Sequence, residues 1–97
     1  MWNDYTHELK KVDERQYESK KKVEDTARAM IASYKSDVET YNQYKDSTNA
    51  EKQSWAEQAK MRANVTANSY NEYMLKNSYV WNANIPQDIK GTLPLVK

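Results

Sequence analysis

Ninety-seven residues allow one small domain. The balance of 38% hydrophobic to 30% charged residues, with one Gly and two Pro, is that of long helices rather than of a compact mixed fold. The net charge of +1 is spread evenly along the chain, which excludes the basic face that general nucleic-acid binding needs, and the absence of Cys excludes disulfides and thiolate chemistry.

The first predicted element is an amphipathic run from about Trp2 to Lys45, with no Gly or Pro inside it. Apolar or small residues recur three or four apart: Trp2, Tyr5, Leu9, Val12, the weak pair Gln16 and Ser19, then Val23. Beyond Val23 the spacing relaxes through Ala27, Met30, Tyr34, Val38 and Tyr41. This is helical spacing, not the alternation of a strand. The period of 3.5 before Val23 favours a left-handed supercoil, and the longer period after it straightens the rod or reverses its hand. A helix over about residues 3–45 is roughly 65 Å long at 1.5 Å per residue. Its outward positions carry complementary charges four apart, such as Glu18 with Lys22 and Glu24 with Arg28, as a solvated rod does. Lys20, Lys21 and Lys22 point in different directions around such a helix and make no single basic patch. Leu9, Val12, Val23, Met30 and Val38 form a seam that predicts self-association into a homo-oligomer.

Asp46-Ser47-Thr48-Asn49 gathers four residues that prefer turns and caps. Thr48 followed by Glu51 fits a capping box, so a second helix is predicted over about residues 49–77. With no Gly or Pro, the same break also fits a kink in one continuous helix. The second helix presents small residues on one side: Ala56, Ala59, Ala63 and Ala67, continued by Tyr70 and Met74, with Trp55 and Tyr73 beside them. Small residues let two backbones approach closely, and the larger residues of the first helix complement them. The predicted fold class is therefore all-α: two long helices over residues 1–78, as an antiparallel hairpin or coiled coil, and an extended tail over 79–97. If the hairpin closes at 46–49, Trp55 faces the region of Val38 to Tyr41, and Tyr70 to Met74 face roughly Lys20 to Ala27. Residues 2–17 then project beyond the pair.

From Asn77 the character changes. Pro86 pushes Ile85 towards an extended conformation and suits the start of a short turn over Gln87–Lys90, closed at Gly91. Trp81, Ile85, Ile89, Leu93, Leu95 and Val96 make the tail too apolar for a disordered terminus. Two readings stand: the tail folds back on the rod, or it is held for a partner.

Sites of chemistry are scarce. His7 is the lone imidazole, with no second His or Cys to complete a metal site. One Gly cannot build a phosphate loop, and no Ser has a recognisable base beside it. Asn64-Val65-Thr66 matches a glycosylation sequon, a common accident inside a helix. No segment is apolar over transmembrane length. No catalytic, metal or cofactor residues are predicted, and the chain reads as a structural or interaction protein rather than an enzyme.

The segment Trp81-Asn82-Ala83-Asn84-Ile85-Pro86-Gln87-Asp88-Ile89 resembles the C-terminal end of inner-membrane spanin subunits of bacteriophages. Those proteins often place a Trp, a short polar spacer, an aliphatic residue, Pro, one residue, an acid and an aliphatic residue there. Trp81, Ile85, Pro86, Asp88 and Ile89 match that pattern, and the stretch from Tyr70 to Ser78 is similar to what leads into it. The resemblance covers about twenty residues. It implies a non-enzymatic lysis protein on the periplasmic face of the inner membrane. It further implies an N-terminal transmembrane anchor, absent from this sequence, and a coiled-coil body. The five matching tail residues would bind an outer-membrane lipoprotein partner so that the two membranes join and fuse. The other function class that fits is a soluble small helical binding or inhibitor protein encoded by a phage, with the tail as its docking strand.

Overall fold

The computed structural model describes the backbone of residues 2–82 and 84–97, and the side chains from Tyr17 onward except at Ala83. Among them are two α-helices and no strand: α1, Trp2–Tyr44, and α2, Ala50–Asn77. A short 3-10 turn, Ser78–Trp81, continues α2. The tail then leaves regular secondary structure and runs back along the hairpin. The side chains of Leu9, Val12 and His7 lie outside the described residues.

The break is a turn, not a kink. Lys45 N–H donates to the carbonyl of Tyr41 and Ser47 N–H to that of Tyr44, which ends α1. The cap of α2 is Asn49, whose side-chain oxygen accepts from the N–H groups of Glu51 and Lys52 at 2.9 and 3.1 Å. This corrects the expectation of a Thr48 capping box, by one residue. Asn and Thr both cap well, and here the turn delivers Asn49 to the last non-helical position. Its backbone lies at φ −83°, ψ 124°, the extended geometry a cap requires. Asn49→Ala is therefore expected to cost about 1 kcal/mol in a thermal melt, and Thr48→Ala much less. Equal losses would undo the assignment.

The two helices pack antiparallel. Near the loop the rings of Tyr44 and Trp55 meet edge to face, centroids 5.4 Å apart. This is about one turn nearer the loop than the expected Val38–Tyr41 partner. Further along, Arg62 Nε bonds Asp37 Oδ1 across the hairpin at 3.2 Å. Every buried residue of α2 falls on the predicted seam: Ala56, Ala59, Ala63, Ala67, Tyr70 and Met74. Among the described side chains of α1 the buried residues are Val23, Ala27 and Ile31, while Met30, Tyr34, Val38 and Tyr41 are half-buried. Ile31 thus takes the central position expected for Met30. It stands four residues beyond Ala27, whereas Met30 stands three beyond. Either step is helical, and the placement of α2 and the tail decides between them. Val23, assigned to an inter-chain seam, is buried within the chain.

α1 has 43 residues and α2 28, so α1 runs on about four turns past the end of its partner. The whole is a rod, 74 Å long and 19 by 18 Å across.

Candidate functional site: the tail and its groove

An Ala seam draws α1 and α2 close together at Ala59, Ala63 and Ala67. Towards the end of α2 the seam changes to Tyr70 and Met74, opposite Val23, Ala27 and Ile31. Large residues flanking small ones leave a groove along one side of the hairpin. Trp81, Ile89 and Leu93 fill it, each 3–5% exposed, and join the same apolar cluster. Ile85 and Val80 pack against its edge. Trp81 and Ile89, matched to a partner-binding motif, are thus part of the folded core. Ile85 and Pro86 are half-buried, and Asp88 is exposed.

Polar contacts hold the tail beside the apolar ones. Trp81 Nε1–H donates to Glu24 Oε1 at 3.1 Å, so the buried indole loses no hydrogen bond. Glu24 also meets Arg28 at 3.5 Å. Arg28 holds Asp88 through both carboxylate oxygens, Nε to Oδ2 at 2.7 Å and Nη2 to Oδ1 at 3.3 Å. This fork geometry suits a guanidinium and a carboxylate. Hydrogen bonding from Arg28 holds the Asp88 carboxyl below its ordinary pKa, and Asp88 in turn raises that of Arg28. Burial pushes the Tyr70 hydroxyl up. A depressed carboxylate pKa stabilises the fold above the unfolded value of about 3.9. That contribution disappears as pH falls through the folded value. Acidification below pH ~4 should therefore loosen the tail, read as a change in Trp fluorescence. Both partners are exposed, so the effect is small and shrinks in salt. An Asp88→Asn variant with the same low-pH transition would assign it to another group.

The rest of the tail is recognised through its backbone. Asn71 uses its whole amide: its oxygen accepts from Leu93 N–H at 2.7 Å, and its Nδ2 donates to Leu93 C=O at 3.1 Å. Asn64 treats Val96 in the same way, at 2.6 and 3.2 Å. On the other wall Tyr34 OH donates to the carbonyl of Pro94 at 2.5 Å, and Tyr41 OH to that of Lys97 at 3.3 Å. Tyr70 OH reaches the carbonyl of Lys90.

These partners obey one register. Asn64 and Asn71 are seven apart on α2, Tyr34 and Tyr41 are seven apart on α1, and each pair meets tail residues three apart. Seven helical residues rise roughly 10.5 Å at 1.5 Å each. Three extended residues span roughly 10 Å at 3.3 Å each. The two repeats match, so each helix contacts the tail once per two turns. The tail runs parallel to α1 and antiparallel to α2. Thr92 and Leu95, three apart, point outward.

None of these four readers was expected from the sequence as a site residue. A signal existed. Asn is a poor helix former, and two Asn at heptad spacing beside a buried Ala seam call for a partner. The sequon Asn64 is explained by the same contact, since its amide is occupied by Val96.

Among the described residues no group of three or more His, Cys, Asp or Glu side chains is placed to hold a metal ion. No helix among them is long and apolar enough to cross a membrane. Comparison with protein-family models, curated proteins and solved structures finds no match.

Proposed function

We propose that the chain is the periplasmic part of a phage inner-membrane spanin, a non-enzymatic lysis protein that pairs with an outer-membrane lipoprotein to join and fuse two membranes. The polarity of the rod carries this reading. The tail runs away from the start of α1 and ends beside Tyr41. From Trp2 to Tyr41 the helix is roughly 58 Å long at 1.5 Å per residue. A protein held to one membrane at its N-terminal end, and reaching another with its C-terminal end, needs this arrangement. The motif segment from Trp81 to Ile89 supports the same reading. Trp81 and Ile89 anchor it from beneath, and Asp88, with the half-exposed Ile85 and Pro86, forms the edge offered to the lipoprotein. The length of α1 beyond α2, which includes Leu9 and Val12, is where a second copy would pair to build the homo-oligomer. The site of action is the periplasmic face of the inner membrane, held there by an anchor upstream of the present sequence.

Closure of the tail on its own hairpin favours a second reading, a self-contained helical binding or inhibitor protein. Removal of the gene from its phage separates the two. The spanin reading predicts that infected cells then fail to lyse. Bursting on the normal schedule would sink the spanin reading and leave the inhibitor.

A further inference from the structure

We propose that the groove which holds the tail also accepts the tail of a second copy, so that two chains exchange residues 89–97. The inference does not depend on the lysis reading. It rests on how the tail is held.

Asn64, Asn71, Tyr34, Tyr41 and Tyr70 all contact main-chain atoms of the tail, across 20 to 60 residues of sequence. Contacts of this kind are the same whichever chain supplies the strand. The apolar anchors Ile89 and Leu93 are equally present in a second copy. Exchange therefore conserves the contacts that residues 89–97 make with the groove. What differs between the closed and exchanged forms is confined to the joint, residues 82–88, and to concentration.

The joint is built to open. Asn82 has φ 47°, the one positive-φ residue among those described. Asn tolerates this left-handed geometry better than most residues, but an extended joint relieves it. Among the described residues of the joint, Asn82 N–H donates to the carbonyl of Tyr79, Asn84 N–H to that of Trp81 and Ile89 N–H to that of Pro86, so few backbone hydrogen bonds hold the reversal. The exposed Arg28–Asp88 fork is the side-chain contact that opening must break. Pro86 already biases Ile85 towards extension. Seven extended residues span up to about 24 Å. That exceeds the 8–10 Å between packed helices, so the tail can reach a neighbour alongside.

The test uses the full chain. Lys45 Nζ and Lys60 Nζ each lie 5.9 Å from the Tyr41 ring, and the Tyr41 hydroxyl bonds the Lys97 carbonyl, so both lysines stand near the end of the tail; Lys60, on α2, serves as the reporter. Nitrogen-15-labelled and unlabelled chains are mixed, equilibrated over a concentration series and treated with an amine cross-linker. Exchange yields Lys60–Lys97 cross-links that join a heavy to a light chain and rise with concentration. Asn82→Val, which disfavours the left-handed joint, is expected to raise the association constant about tenfold. Asn82→Gly, which accepts that joint freely, lowers it. Helical content by circular dichroism verifies that both variants are folded. Lys60–Lys97 cross-links that stay within one isotope up to millimolar concentration overturn the proposal. So do mixed cross-links at other lysines with none from Lys97 to Lys60 or Lys45, because they describe dimers formed without exchange of the tail.

Discussion

Trp81→Ala lowers the stability of the folded chain by about 3–5 kcal/mol, the cost of emptying a large buried site. Trp81 is 5% exposed and belongs, with Val23, Tyr70 and Met74, to the apolar cluster that joins both helices to the tail. Its removal also leaves Glu24 without the indole N–H. For a domain of this size 1 kcal/mol moves the melting temperature by roughly 4–8 °C, so a fall of more than about 12 °C is expected. Differential scanning calorimetry gives the answer directly. A melting temperature within a few degrees of the unsubstituted protein would mean that the indole adds little to the fold and that the tail is free for a partner.

The second large effect belongs to the two asparagines. Asn64→Ala with Asn71→Ala removes four hydrogen bonds and strands the N–H and C=O groups of the buried Leu93 and the half-buried Val96. An unsatisfied buried group costs about 1–3 kcal/mol. The pair together should cost about 2–5 kcal/mol, with partial relief where water enters. Asn68→Ala is the control: it stands on the same helix but is exposed and should change stability by less than ~0.5 kcal/mol. Hydrogen exchange adds a local readout. In the double variant the amides of Leu93 and Val96 exchange fast while those inside α2 keep their protection. Equal protection in both proteins would show that the asparagine contacts do not hold the tail.

The burial of Trp81 bears on how the partner-binding segment is understood. A Trp, a Pro and two Ile near a chain end read equally as docking anchors or as the last layer of a core. Periodicity cannot separate the two, because the tail has no helical or strand period of its own. The groove decides. Ala59, Ala63 and Ala67 bring the helices close, and Tyr70, Met74 and Ile31 widen the space beyond. That space is apolar, and without the tail it would stand open on a hairpin with little core of its own. A chain with so few aliphatic residues gains more from closing it than from leaving Ile89 and Leu93 in water.

What the sequence by itself determined is local or periodic. No Gly or Pro before residue 86 permits two long helices. Asp46 to Asn49 interrupts them, and Ala56 to Met74 marks the face that meets the partner helix. All of this follows from spacing along one element, which a single sequence displays. Tertiary structure decided the rest. Asn49 rather than Thr48 became the cap because the turn geometry delivers one residue and not its neighbour. Ile31 rather than Met30 took the core position because both fit the helix and only α2 and the tail distinguish them. Asn64, Asn71, Tyr34 and Tyr41 became readers of the tail because three extended residues happen to match seven helical ones in length. That match joins groups up to 60 residues apart in sequence. No window along the chain contains both halves of it.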